Sequence, residues 1–432
     1  MDKLNKSITL PRGVALAVGM VLGSGMLGLP GIVVSAAGPQ CAIIGWLAVI
    51  IAMIPMMVIF SYLGSTYTTA AGLTAYAKTA FGAWAQDSAT FVLWGTYSIG
   101  IPALACIGGA YVCRLFDIDS RLWGLAIAFA ILLISTVINL LGTAAISVVN
   151  MVSLWMIALL ICALIAAHPD YFALGFRGLA DSAKGAYTNP RGLIAAMGLI
   201  VYAFLGWENM SFSAEEFRNP KRTIPMTYWL SFAVVSLLYL SLAFVVNGAQ
   251  SQGTDVTGAA GLVGLLPFGA RPLVTVLIIV AIIANANAWV LGASRLTFSA
   301  GRNGLLPDWF SKVTSRGMPM MALAGMMAVY TIVIIVAGVA DISTDTLIGI
   351  VSQNFLVLYV VSIVAYVKTV HANHPKRAAM VCARFVALLS LIICVTLLTG
   401  FTWWIIYPLV LGIIGAAIYR FRNSTAQEAD HE

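Results

Sequence analysis

Charge is what this sequence has least of. Only 9% of its 432 residues are Asp, Glu, Lys or Arg, against about 25% in soluble domains. That is too little charge to cover a water-facing surface of this size. A soluble enzyme, a disordered chain and a nucleic-acid binder are therefore excluded. Histidine is scarcer still: His168, His371, His374 and His431 lie outside the apolar runs, which excludes a histidine relay within a membrane. The six cysteines sit nearly all inside apolar runs and form no CxxC pair. Neither a disulfide framework nor a metal centre is expected, and no cofactor is expected. The apolar runs hold no Ser–His pair, metal cluster or paired carboxylates, so the chain does not read as an enzyme. The polar start MDKLNKSITLPRG leads into a long apolar segment. No small-residue cleavage site follows a short apolar core, so no removable signal peptide is expected.

What the sequence has instead is hydrophobic length. Apolar residues make up 61% of the chain, enough for about twelve membrane helices of about 20 residues each. The apolar runs lie near 13–35, 40–63, 86–112, 122–141, 146–167, 192–214, 225–247, 272–294, 319–339, 345–367, 380–400 and 402–420. They are long and continuous, unlike the alternating segments of about ten residues in a membrane barrel. The expected fold class is an all-α integral membrane protein with twelve transmembrane helices. An even number of spans puts both termini on one side. Most basic residues then share that side, and only Arg114, Arg121, Arg177, Lys184, Arg191 and Arg271 fall on the other. The positive-inside rule places the termini in the cytoplasm. The net charge of +7 becomes a statement about orientation.

Three connections are long. The outer segment 168–191 has room for a surface helix. The segment 64–85 suits a re-entrant or interfacial helix, and 295–318 suits a short amphipathic one. The tail 423–432 is polar and expected to be disordered.

Two spans contain breaks. In the first, Gly23, Ser24, Gly25, Met26, Leu27, Gly28, Leu29 and Pro30 crowd three glycines and a proline together, which opposes a continuous helix. Broken backbone in a bilayer must face protein or water. The free amides that open the second half-helix suit a carboxylate. In the sixth span, Tyr202, Ala203, Phe204, Leu205, Gly206, Trp207, Glu208 and Asn209 combine a glycine, an acid and an amide. Glu208 is the one acid placed deep in the membrane, at a cost of about 2.5–3.5 kcal/mol. It reads as a proton-coupling group, against the plainer reading of a protonated structural carboxyl. Breaks at corresponding positions of two halves point to a transporter site at the bilayer midplane. Tyr97 (with Ser98 and Gly100), Asn285, Asn287, Gln353 and Asn354 bring further polar groups into spans three, eight and ten. Such amides act as helix-to-helix glue as readily as they act as ligands.

The run GSGMLGLP at 23–30 resembles the first-span signature of the amino acid–polyamine–organocation superfamily. YAFLGWENMSFSAEEFRNPKRTIP at 202–225 resembles its sixth span and following loop, and RLTFSAGRNGLLPDWFSKVTSR at 295–316 resembles the loop after its eighth. IGIPALACIGGAY at 99–111 and FLGWENMSFSAEEFRNPKR at 204–222 are most similar to bacterial exporters of methionine and branched-chain amino acids. The resemblance implies a leucine-transporter-type 5+5 inverted repeat: residues 1–167 as the first repeat, 168–378 as the second, 379–422 as two peripheral spans, 423–432 as the tail. It implies that a substrate carboxylate sits on the amides of Ser24, Gly25 and Met26, beside Gly23. The substrate ammonium would face carbonyls of Ala203, Phe204 and Gly206, with Tyr202 as an aromatic gate. Trp207 is bulkier than the residue usual in the family. The expected function is secondary transport of neutral, apolar amino acids across a bacterial inner membrane by alternating access, with two couplings left open: a proton through Glu208, or exchange without an ion. An antiporter for basic amino acids or polyamines is the alternative within the class, and a non-transporting membrane sensor the alternative outside it. The expected partners are a small amino acid and the bilayer; nucleic acid is excluded, and a homodimer is left open.

Overall fold

The computed structural model describes residues 8–22, 24–68, 72–140, 143–207, 210, 211, 214, 217–314, 318–374, 377–399 and 403–429. Among them, extended pairing is confined to a single bridge between Ile8 and Phe217. The rest is helix and connection: α1 (Leu10–Val21), α2 (Ser24–Thr66), α3 (Gly72–Phe81), α4 (Ala83–Leu115), α5 (Arg121–Leu140), α6 (Thr143–Ala167), α7 (Pro169–Arg177), α8 (Leu179–Thr188), α9 (Pro190–Val201), α10 (Pro220–Ser251), α11 (Arg271–Arg302), α12 (Met320–Val339), α13 (Thr344–Asn373), α14 (Arg377–Thr399) and α15 (Ile406–Ala429). By length and composition, nine of the described helical stretches are apolar enough to cross a bilayer. The number is ten if Trp155–Ala167 and Pro169–Arg177, bent by 76°, form one span. Pro190–Phe204 is a shorter apolar helix. The chain is thus an all-helical, multi-pass membrane protein.

Local chemistry sets the ends of these helices. The 43 residues of α2 would stretch roughly 65 Å at 1.5 Å per residue, about twice a bilayer core. The chain turns within it at Gly38 (φ 79°, ψ 161°), just before Pro39. At α9, Pro190 opens the first turn and the Asn189 side chain accepts from the Gly192 amide, a side-chain cap of the usual kind. At α10, Pro220 likewise stands at the first position.

Burial sorts the helices into a centre and a rim. On α4, every residue from Gly95 to Gly109 is buried. By contrast α14 exposes Val381, Phe385, Leu388, Ile392 and Val395, and α15 exposes Ile406, Leu409 and Ile413. Apolar side chains left in the open need lipid around them.

Contacts also gather the connections at two ends of the bundle. At one end Arg114 meets Asp255 at 2.6 Å, His168 Nε2 meets the Leu265 carbonyl at 2.7 Å, and Arg121 holds the α12–α13 turn through Ala337 O, Ile342 O and Asp341. At the other the Arg218 amide donates to Ile8 O, Tyr67 bonds Thr369, Arg422 meets Asp87, and Lys368 donates to Ala80 O at the end of α3.

Two connections and the tail differ from expectation. Segment 168–191 folds as two helices, α7 and α8. Segment 295–318 has no separate amphipathic helix among its described residues: α11 runs on to Arg302, and a single 3-10 turn covers Asp308–Ser311. The tail is helical through Ala429, so residues 423–429 correct the disorder expected from Asn423 onward. Ala, Gln and Glu are good helix formers, and adding residues to an existing helix avoids the nucleation cost.

Candidate substrate site at the paired helix breaks

Both expected breaks are present. α1 stops at Val21, Leu22 turns to an extended conformation (φ −71°, ψ 96°), and a new helix opens at Ser24. The first amides of that helix lack intrahelical acceptors. Its early residues Gly25 and Met26 are buried. Gly23 and the Ser24 side chain lie outside the described residues. In the sixth apolar run, α9 ends at Val201, a 3-10 turn covers Tyr202–Phe204, and Leu205 becomes extended (ψ 148°). Gly206 follows at φ 119°, a region that disfavours every side chain. Glu208 and Asn209 lie outside the described residues.

The fold presses the two breaks together. A Cβ on Gly25 would stand 3.2 Å from Ala203 Cα and 3.5 Å from the Tyr202 ring. A Cβ on Gly206 would stand 2.6 Å from the Met20 carbonyl. Glycine is therefore required at Gly206 twice over, by conformation and by space. Helix breaks leave carbonyls without partners, and tyrosines supply them. The Tyr239 hydroxyl lies 2.8 Å from Ala203 O and 3.1 Å from Val21 O, touching one carbonyl of each break. Tyr228 donates to Trp207 O (3.0 Å) and Tyr111 to Leu27 O (2.6 Å).

Two aromatic walls flank this joint. On one side Tyr202 reaches the Gly100 carbonyl at 3.5 Å and packs beside Trp289 (6.4 Å between ring centres), which meets Tyr97 edge-on at 5.8 Å. A Cβ on Gly100 would meet Trp289 and Val351, both at 3.3 Å. On the other side Phe204 packs with Trp46, Tyr239 and Phe232, and Trp207 with Tyr228 and Phe232. Tyr97, Gly100, Tyr202 and Trp289 are thus brought together, while Phe204 and Trp207 belong to the α2–α10 wall.

The amides divide. Asn287 is fully buried and engaged: Asn139 of α5 donates to its side-chain and backbone oxygens. Asn285 is buried on the same helix. Asn354 and Gln353 of α13 are also buried, yet both polar atoms of the Asn354 amide and Gln353 Oε1 have no hydrogen-bond partner among the described residues. Buried polar atoms are rarely left so.

Sequence reasoning missed Tyr239, Tyr228 and Trp46. A signal was available: Tyr228 and Tyr239 stand eleven residues apart on α10, three turns, and so share a face. Nothing in the sequence says that this face meets the breaks.

Buried half-helices set against each other inside a bundle of long apolar helices are the arrangement expected of a membrane transporter. The amino acid permease family matches residues 8–416, and the chain belongs to that family, within the amino acid–polyamine–organocation superfamily. The chain is 27% identical to the uncharacterized amino acid permease YecA of Bacillus subtilis, over 100% of this chain and 99% of that one. It is 26% identical to the L-methionine/branched-chain amino acid exporter YjeH of Escherichia coli over 95% of each. It is 24% identical to the human cystine/glutamate transporter over 78% of this chain and 70% of that protein.

Proposed function

We propose that this amino acid transporter is a secondary carrier of neutral, apolar amino acids in a bacterial inner membrane, working by alternating access. One observation carries the reading: the two breaks lie against each other and share Tyr239 across carbonyls of both. The substrate carboxylate takes the amides of Ser24, Gly25 and Met26, and the ammonium faces the carbonyls of the second break. Tyr202, beside Gly100 and Trp289, closes the site. The unpartnered Asn354 amide and Gln353 Oε1 support a polar lining contributed by α13. Similarity to a methionine and branched-chain exporter supports an apolar substrate, as do the apolar residues Met26, Leu27 and Met210.

In this reading the chain makes twelve crossings with both termini cytoplasmic. α1 and the halves of α2 on either side of Gly38 are spans one and two. α4, α5 and α6 are spans three to five, and α9 with its broken continuation is span six. α10 to α15 complete the set. Residues 1–167 and 168–378 are the inverted repeats and 379–422 the peripheral pair. Transport is linked to protons through Glu208.

Purified protein in liposomes, offered labelled neutral amino acids, basic amino acids and diamines under imposed gradients, tests the proposal. Uptake or exchange of leucine and methionine is expected. Transport of none of the panel refutes the reading, and a preference for diamines or arginine refutes the substrate class. Glu208→Gln is expected to transport without pH dependence; an unchanged pH profile removes Glu208 from the proton path.

A further inference from the structure

Away from the breaks, a cavity of about 510 Å³ opens between the end of α4, the start of α5, the α12–α13 turn and residues 257–260. Its size falls in the range of about 300–1,000 Å³ typical of small-molecule sites. Its lining is apolar at Ala110, Leu125 and Leu347 and charged at Arg114, Arg121 and Asp119. The two guanidiniums are not equivalent. Arg121 is consumed by Asp341 and by the carbonyls of Ala337 and Ile342. Arg114 spends one nitrogen on Asp255 and is only partly covered. The lining thus offers one cation with donors to spare and one carboxylate, Asp119. An anionic ligand would meet Asp119, Asp255 and Asp341 along with the two arginines. A molecule carrying both charges meets a partner for each.

We infer that this cavity is a second binding site for a zwitterion with an apolar side chain, a free amino acid, distinct from the site at the breaks. The carboxylate faces Arg114, the ammonium faces Asp119, and the side chain enters between Ala110 and Leu347. The site also touches the transport machinery. Residues 257–260 line the cavity, and the Gly258 amide, next to Thr257, is bonded both to Gly31 O and to the Ser35 hydroxyl. Gly31 and Ser35 lie on the half-helix that starts at the first break. The inference rests on the proposed reading in placing this end of the bundle outside the cell and in taking an amino acid as ligand.

Cys113 lines the cavity and is partly exposed, which supplies a direct probe. Cys106, which lines the same cavity, and the exposed cysteines Cys162 and Cys382 are replaced by serine, and the full chain is reconstituted in liposomes of phosphatidylcholine and phosphatidylglycerol. A membrane-impermeant thiosulfonate is added outside, with and without L-leucine. Leucine is expected to slow labelling of Cys113 at least fivefold with a saturable dose dependence. The same protection is expected in Gly25→Ala, where the site at the breaks is narrowed. It is expected to vanish in Asp119→Asn and in Ala110→Phe, which fills the apolar part of the lining. Wild-type labelling that leucine does not slow overturns the inference, and so does protection lost in Gly25→Ala. Protection by phosphatidylethanolamine vesicles and not by leucine also overturns it, assigning the cavity to a lipid headgroup. Uptake measured in the same liposomes keeps the two readings apart. Protection without uptake supports this site and refutes the carrier, whereas uptake without protection does the reverse.

Discussion

Replacing Tyr239 with Phe removes one oxygen atom from the joint between the two helix breaks and leaves the ring in place. The ring contacts with Trp46 (5.1 Å) and Phe204 (5.3 Å) should therefore survive. A hydroxyl has a single proton, so it serves the Ala203 carbonyl at 2.8 Å and the Val21 carbonyl at 3.1 Å one at a time. Its loss leaves a buried acceptor unsatisfied, at about 1–3 kcal/mol. If alternating access parts the breaks, this bond is made only in the closed arrangement. Its full worth then appears as a shift in the balance between states, roughly 5- to 150-fold. Transport measured in liposomes should show kcat/KM reduced by about tenfold or more. Thermal unfolding of the purified protein should show a lower midpoint. Tyr228→Phe, whose hydroxyl bonds Trp207 O, is expected to have the smaller effect on transport because it touches one break. Wild-type kinetics together with a wild-type midpoint in Tyr239→Phe would refute the view that this hydroxyl joins the breaks.

Gly206→Ala should lose about 1–3 kcal/mol from backbone strain at φ 119°, plus the clash with Met20 O, read as a large fall in folded yield. Asn139→Ala should cost about 1–2 kcal/mol, because the donor to the buried Asn287 side-chain and backbone oxygens is lost; its thermal midpoint should fall while substrate preference stays the same. In the loop after α10, the Thr257 hydroxyl and amide, and then Arg114, hold the Asp255 carboxyl below the ordinary carboxylate range. A lowered folded value means that this contribution is complete above the unfolded pKa of about 3.9 and fades as pH falls through the folded one. The pair is largely exposed, so the effect is small. Amide protection factors in residues 252–267, with the intrinsic exchange rate at each pH divided out, should fall on acidification in the wild type and hardly change in Asp255→Asn.

Several elements could be read from the chain before any fold was known. GSGMLGLP and YAFLGW announce their breaks because glycine and proline act on the backbone where they stand. A helix in the outer segment and α3 are similarly legible as interruptions in hydrophobicity, though the division of the outer segment into α7 and α8 is not. The polarity of the tail says "outside the bilayer" and does not say "unfolded", and α15 runs on through it to Ala429. The helical character of segment 295–318 belongs to the end of α11, which runs on to Arg302. At the candidate site, Gly25, Tyr202 and Ala203 were legible as a pair of breaks. Tyr239, Tyr228 and Trp46 were not, since a tyrosine in an apolar helix looks the same whether it caps a carbonyl or packs in a core. Asn287 shows the same limit: the sequence offered glue or ligand, and contact with Asn139 decided how its oxygen is used.

The sequence by itself determined the solvent of this protein, the apolar lengths that meet that solvent and the places where the helices must break. These are local properties, set by hydrophobicity and backbone sterics within a few residues. Only the tertiary structure decided that the breaks touch, that α10 supplies the hydroxyl between them, and that Arg114 and Asp119 border one cavity. Each of those depends on the height and rotation of one helix against another. Helical periodicity defines a residue's direction only about its own axis, and packing sets that axis against its neighbours.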